Sequence, residues 1–169
     1  MIISDIDFAL SKEYEAKAVE IIKKLYGENT VITQSNYDER PNTERACIDI
    51  IAIPDGGKPI NVQVKSRTEG CPDLCFELDK SNRNYWLRYG RADYFIYFIP
   101  DYRPEPLMFS TAILQRIFDM HYNDEDLIII KQNRQKDNYC CYMNPEWFEG
   151  RCKDLKRYAG VRFTFGRTD

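Results

Sequence analysis

Apolar residues recur at helical spacing between Ser11, which favours a helix start, and Gly27, which favours a helix end. The residues of this apolar stripe are Tyr14, Ala18, Ile21, Ile22 and Leu25. The spacing predicts an amphipathic helix as the first element. The polar stretch 33–45 contains Asn, Asp and Pro residues that favour turns, and it predicts a loop or an irregular edge strand.

Two runs rich in β-branched residues follow, at 46–53 and 60–64, on either side of the sequence Pro-Asp-Gly-Gly-Lys-Pro. This pattern predicts two antiparallel strands joined by a glycine turn. A third apolar run, 94–99, predicts another strand that ends at Pro100.

The remaining pattern predicts alternating helices and strands. A helix is expected over 110–120 with Ser110 as its cap, and a second over 145–155 with Pro145 in its first turn. Short strands are expected at 127–131, 139–143 and 161–165. The order predicts an α/β fold with a mixed central sheet flanked by helices, in a single domain over 1–169.

Composition narrows the class of protein. The chain has 169 residues, of which 43% are hydrophobic, enough for a core and too many for a disordered chain. Its net charge of −3 gives no overall attraction to nucleic acid or anionic lipid, so a polyanion would need a local basic patch. No run approaches the roughly 20 apolar residues of a membrane helix, and the first residues lack a secretion signal. We therefore expect a cytoplasmic protein without a membrane partner.

One aspartate, Asp49, interrupts an otherwise apolar strand. A buried strand tolerates such a charge only when it is paired or binds a metal. Strand alternation places Gln63 and Lys65 on one face of the next strand, and counting outward from the turn puts Asp49 opposite Val64, beside both of them. The pattern predicts that a carboxylate, an amide oxygen and an ammonium converge.

This trio suits metal-assisted phosphodiester hydrolysis. Mg²⁺ takes oxygen ligands, which Asp49, the Gln63 amide and the backbone carbonyl of Val64 could supply. The ion activates water and offsets charge on the phosphate, and the ammonium of Lys65 could orient the nucleophile. With one histidine, His121, in the chain, a histidine-based triad or a histidine-rich metal site is not expected.

These residues resemble the PD-(D/E)xK nuclease superfamily, which includes restriction-endonuclease-like and Holliday-junction-resolvase-like proteins. Asp49 matches the family aspartate, and Gln63-Val64-Lys65 stands where the family has Glu-x-Lys, followed by Ser66-Arg67. Tyr85-Trp86 and the strand at 94–99 resemble later features of a bacterial branch with Val-Gln-Val-Lys. The resemblance covers about 11–120, and 121–169 forms a C-terminal extension.

The resemblance implies a restriction-endonuclease-like core of a helix, a hairpin carrying the site, a helix and a further strand. It implies a DNA endonuclease using Mg²⁺ or Mn²⁺, with a role in bacterial or mobile-element DNA processing or defence. Asp49 and Gln63 would hold the metal and Lys65 would serve the nucleophilic water. Family members often add a glutamate from the first helix, and Glu15 lies on the apolar face of that helix. Gln63 departs from the family carboxylate, and Glu15 would restore the missing charge.

Several basic or polar residues are candidates for contacts with DNA phosphates. They are Arg45, Ser66, Arg67, Arg83 and Arg88. Two segments concentrate positive charge: 80–91, where basic residues alternate with aromatic residues that could instead be core, and 151–167.

The sequence is also compatible with two other interpretations of the protein's function. The first is a catalytically inactive nuclease-fold domain that binds nucleic acid or a protein partner. The second is a zinc-stabilised interaction module, although the spacing of the cysteines at 71, 75, 140, 141 and 152 differs from zinc knuckles, and we expect reduced thiols. The sequence also leaves open whether a homodimer is needed to cleave two strands.

Overall fold

The computed structural model describes residues 3–34, 48–68, 70–81, 84–87, 91–133 and 138–158. Three helices are described: α1 (Ile3–Tyr26), α2 (Thr111–His121) and α3 (Pro145–Tyr158). The first strands are β1 (Val31–Gln34), β2 (Ile50–Ile53), β3 (Ile60–Ser66), β4 (Leu74–Ser81) and β5 (Asn84–Leu87). The others are β6 (Tyr94–Phe98), β7 (Leu107–Ser110), β8 (Ile128–Asn133) and β9 (Asn138–Met143).

The strands form two sheets. The first has five strands in the order β1-β2-β3-β6-β7, in which β3 and β6 are parallel and the other neighbours are antiparallel. The second has four antiparallel strands in the order β5-β4-β9-β8. The predicted α/β class with a mixed sheet is confirmed, and so is the antiparallel hairpin of β2 and β3.

Helix α1 covers one face of the five-stranded sheet. Ala18 and Ile22 are buried against Ile50, Val62 and Ile96, so an apolar stripe at helical spacing meets an apolar sheet face. The helix begins at Ile3 rather than at the predicted Ser11, because no glycine or proline in 3–11 interrupts it and serine is tolerated within a helix. It ends at Tyr26, directly before the predicted stop at Gly27, whose positive φ of 102° favours glycine.

The opposite face of this sheet packs against the second sheet and against helices α2 and α3. Phe95 and Phe109 project from the first sheet and meet Phe76 of β4 and Phe148 of α3. These rings contact one another at centroid separations of 4.8–6.2 Å. The larger core of the protein therefore lies between the two sheets.

The chain between β3 and β6 differs from the expected order. The resemblance implies a helix there, but the described residues of this segment form strands β4 and β5, the second of which contains Tyr85 and Trp86. The reason is visible in 74–79, where buried Leu74, Phe76 and Leu78 alternate with less buried residues. A period of two favours a strand over a helix.

Other boundaries follow the sequence closely. Ser110 caps α2 as predicted, because its Oγ accepts the backbone N–H of Ile113 at 3.3 Å. Strands β8 and β9 and helix α3 lie where the pattern placed them. The strand predicted over 46–53 is shorter and begins at Ile50. The loop or irregular edge strand predicted at 33–45 begins within the edge strand β1. The rest of that stretch and the predicted strand at 161–165 lie outside the described residues.

Candidate functional site

Asp49 occupies a bend immediately before β2. Its backbone N–H donates to the carbonyl of Val62 at 3.0 Å, and the paired residues of β2 and β3 end at Ile50 and Val62. Beyond this point Oδ2 of Asp49 accepts the backbone N–H of Val64 at 2.7 Å. The carboxylate thus lies close to the plane of the sheet and satisfies a β3 donor that β2 does not reach.

Gln63 contacts Asp49 directly. Its Nε2 donates to Oδ2 of Asp49 at 2.5 Å and to the carbonyl of Val64 at 3.3 Å. The side chain is buried, with 7% of its surface exposed, and its Oε1 has no hydrogen-bond partner among the described residues. A buried amide oxygen without a donor is a place where a cation or a water would be stabilised.

The register differs by one residue from the prediction. Continuing the pairing of Ile50 with Val62 places Asp49 opposite Gln63, not opposite Val64. The hairpin turn is centred on Gly56, which has a positive φ of 66°, rather than between two glycines. The shift strengthens the predicted contact, because it places the Gln63 amide against the carboxylate.

Lys65 lies on the same face of β3 as Gln63, opposite Tyr97 of β6. Its positive charge lowers the pKa of Asp49, so the ammonium acts on that carboxylate. The structure therefore brings Asp49 and Gln63 into contact and places Lys65 within electrostatic reach of them.

Glu15 approaches Asp49 from helix α1, on the other face of the sheet. It is buried, with 6% of its surface exposed, and accepts a hydrogen bond from Nζ of Lys12 at 2.8 Å. Its charge raises the pKa of Asp49, whereas the charge of Lys12 lowers it. Sequence reasoning missed Lys12, for which the signal is its position one helical turn before Glu15.

Burial dominates the ionisation of Asp49. The pKa of Asp49 is raised from 3.8 to about 6, and desolvation is the largest cause of the rise. The Val64 N–H, Lys65 and Lys12 oppose the rise, and the charge of Glu15 adds to it. A carboxyl group held in its acidic form this close to neutral pH is more frequent at functional sites than elsewhere.

The donor set fits a hard divalent cation. Asp49 and the unpartnered Oε1 of Gln63 offer oxygen atoms, which Mg²⁺ and Mn²⁺ prefer, and Glu15 adds negative charge that acts on Asp49 from α1. The predicted ligand at Val64 is its carbonyl, and that oxygen already accepts a hydrogen bond from Gln63. Within the described part of the chain, no three His, Cys, Asp or Glu side chains are grouped to hold a metal ion. The five described cysteines form no disulfide, as expected.

The predicted DNA contacts separate into two groups. Ser66 ends β3 on the face that α1 covers, and Arg67 follows it, with Nη2 2.7 Å from Oδ1 of Asp73. Arg67 is thus anchored by an ion pair, and its Nε is buried without a partner among the described residues. The other three candidates, Arg45, Arg83 and Arg88, lie outside the described residues.

The second basic segment is partly neutralised. Arg151 lies 3.4 Å from Asp154, and Lys153 lies 3.4 Å from Glu149, within helix α3. These contacts offset the positive charge of the helix. The part of this segment beyond 158 lies outside the described residues.

No family model, curated protein or solved structure matches the chain. Among the described residues, none of the helices is both long and apolar enough to cross a membrane.

Proposed function

We propose that the protein is a metal-dependent DNA endonuclease that resembles the PD-(D/E)xK nucleases and hydrolyses phosphodiester bonds. The observation that carries this proposal is the partly buried contact between Asp49 and Gln63 at 2.5 Å, with Lys65 on the same strand face as Gln63. A carboxylate, an amide and an ammonium at one strand end supply a cation ligand set and a charge for the nucleophile.

Each residue has a separate role. Asp49 and Oε1 of Gln63 would hold Mg²⁺ or Mn²⁺, and Glu15 would add a second negative charge from α1. When bound, the cation would supply Lewis-acid stabilisation of the phosphate. Lys65 orients the attacking water or offsets developing negative charge through its ammonium. Burial of Asp49 and Gln63 holds the ligands in place before substrate binds.

The order of the elements supports the same proposal. A helix, α1, precedes the three antiparallel strands β1 to β3, and β6 then joins β3 in parallel. This order agrees with the core expected from the resemblance, apart from the crossover, in which β4 and β5 replace a helix. DNA contacts would come from Ser66 and Arg67 at the end of β3 and from Arg45, Arg83 and Arg88.

A second candidate is a catalytically inactive domain of the same fold that binds nucleic acid or a protein partner. The observation that favours it is the neutral amide at Gln63, which leaves the site one carboxylate short and already donates to Asp49. The weaker negative potential would lower the affinity for a divalent cation.

DNA cleavage distinguishes the two candidates. The protein is incubated with supercoiled, linear, branched and single-stranded DNA in Mg²⁺, Mn²⁺ or EDTA. We expect cation-dependent cleavage of at least one substrate, and its loss in Asp49→Asn. A wild-type protein that retards DNA in a gel but cleaves none of these substrates would establish the inactive binder.

A further inference from the structure

We infer that Gln63 is a positioning residue that holds Asp49 in place without a cation, and that a carboxylate at this position would make assembly of the site depend on a divalent ion. This inference deepens the proposed function and rests on it for the identity of the cation site. The neutral amide of Gln63 donates a hydrogen bond to Asp49, whereas a carboxylate at position 63 would need a cation between the two side chains.

The contacts of Gln63 fix the orientation of its side-chain amide. Nε2 of Gln63 faces two acceptors, Oδ2 of Asp49 at 2.5 Å and the carbonyl of Val64 at 3.3 Å. The reversed amide would place an oxygen against both oxygens, so the contacts fix which end of the amide faces Asp49. Oε1 is therefore the end of the amide that makes neither contact, and it stays without a partner among the described residues.

Two donors support the carboxylate of Asp49. Oδ2 of Asp49 accepts two N–H groups, one from the Gln63 amide and one from the backbone of Val64 at 2.7 Å. Both donors belong to β3, a central strand of its sheet, so their positions are fixed by the fold. Buried hydrogen bonds to an ionised group are stronger than neutral ones, and these two position Asp49 in the absence of any ion.

A carboxylate at position 63 would remove one of these donors. Gln63→Glu keeps the shape of the side chain but replaces the donating nitrogen by an oxygen. That oxygen would face Oδ2 of Asp49 and the carbonyl of Val64, both acceptors. Two carboxylate oxygens at this separation repel unless a proton or a cation lies between them. Lys65 and Lys12 are the same in wild type and variant, so a difference in stability between the two proteins reports the lost donor.

The test is thermal unfolding of the full chain at pH 8 in EDTA and across a titration of Mn²⁺. In EDTA we expect the unfolding temperature of Gln63→Glu to be about 5 °C below that of wild type, and we expect Mn²⁺ to raise it again. The midpoint of its Mn²⁺ titration should be at least about tenfold lower than that of wild type, because the site gains a negative charge. A midpoint or an EDTA stability equal to that of wild type overturns the inference.

A swapped variant isolates the cause. Asp49→Asn combined with Gln63→Glu restores one amide and one carboxylate with their positions exchanged, so it should recover stability in EDTA and lose the enhanced Mn²⁺ response. If Gln63→Glu alone does not fold, the double variant provides the test. A double variant that folds supports the inference, and one that does not fold overturns it. DNA cleavage by wild type is scored separately. If wild type cleaves DNA but Gln63→Glu shows an unchanged Mn²⁺ response, this inference alone is wrong. If the Mn²⁺ response of Gln63→Glu changes but wild type cleaves no DNA, the proposed nuclease activity alone is wrong.

Discussion

Oδ2 of Asp49 accepts the backbone N–H of Val64 at 2.7 Å, one residue before β2 begins. A side chain thus continues the pairing of β3 where the neighbouring strand has ended. The carboxylate of Asp49 therefore occupies the place beside β3 that the backbone of a longer β2 would occupy. The fold bears an energetic cost at this position, and that cost can be measured.

Asp49→Asn should stabilise the protein at neutral pH. Burial raises the pKa of Asp49 from 3.8 to about 6, so the folded state retains a proton that the unfolded chain has released. Stability therefore falls as pH rises from about 4 to about 6, and above that range the full cost, at most about 3 kcal/mol, is present. Denaturant unfolding at pH 4 and pH 8 should show the variant gaining stability over wild type only at the higher pH.

Asp55→Asn is the matched control for that measurement. Asp55 lies exposed in the turn between β2 and β3, so its neutral variant should follow the wild-type profile at both values of pH. An Asp49→Asn variant that is less stable than wild type at pH 8 would show that the hydrogen bonds of the ionised carboxylate outweigh its desolvation.

Lys65→Ala should lower DNA cleavage by at least about 100-fold, because the ammonium that serves the water is removed. The side chain is partly exposed near the end of β3, so the variant should still fold. Single-turnover cleavage at saturating Mg²⁺ measures the loss, and circular dichroism checks the fold. Lys58→Ala, in the exposed turn, removes the same charge away from the site and should cleave like wild type. Equal rates for both variants would remove Lys65 from the mechanism.

Glu15→Gln should weaken the response to the divalent cation. Its carboxylate is buried and raises the pKa of Asp49, so neutralising it should lower that pKa, which carboxyl NMR titration can follow. The same change removes a negative charge from the cation site, so half-maximal cleavage should need several times more Mg²⁺. Saturating Mg²⁺ should restore most of the rate.

Glu13→Gln provides the comparison for Glu15. Glu13 is exposed and pairs with Lys17 at 2.7 Å on the solvent side of the same helix. Its neutral variant should leave both the Asp49 titration and the Mg²⁺ dependence unchanged. If the two variants behave alike, Glu15 is a structural residue of α1 and not part of the cation site.

The part of this site that could be predicted from the sequence is the part made by local structure. Asp49 and Gln63 belong to one hairpin, so strand alternation and the glycine turn suffice to bring them together. The error of one residue in register arose because Gly56 alone forms the centre of the turn. The sequence does not tell which residue lies at the centre of this turn, because either of two adjacent glycines can adopt the required conformation.

The part that could not be predicted depends on distant contacts. Strand β4 pairs with β9, so the partner of Phe76 is Cys141, far along the chain, and nothing local to 74–81 indicates it. The alternation of apolar residues in 74–79 favours a strand, but only the pairing with β9 places that strand in a second sheet. The role of Lys12 was hidden for a similar reason, because it depends on how α1 lies on the sheet.

Tyr97→Phe should destabilise the junction of the two sheets. The Tyr97 hydroxyl accepts the backbone N–H of Cys75 at 2.9 Å and donates to its carbonyl at 3.1 Å. Strand β5 pairs with β4 only over Leu78–Ser81 among the described residues, so the hydroxyl satisfies backbone groups that β5 does not reach. Removing it leaves a partly buried donor and acceptor unpaired, at a cost of about 1–3 kcal/mol in the free energy of unfolding. Tyr102→Phe removes a hydroxyl that bonds to Glu149 at 3.1 Å near the surface, and urea unfolding should show a smaller loss. Equal losses in the two variants would mean that water or a rearranged strand satisfies Cys75 once the Tyr97 hydroxyl is gone.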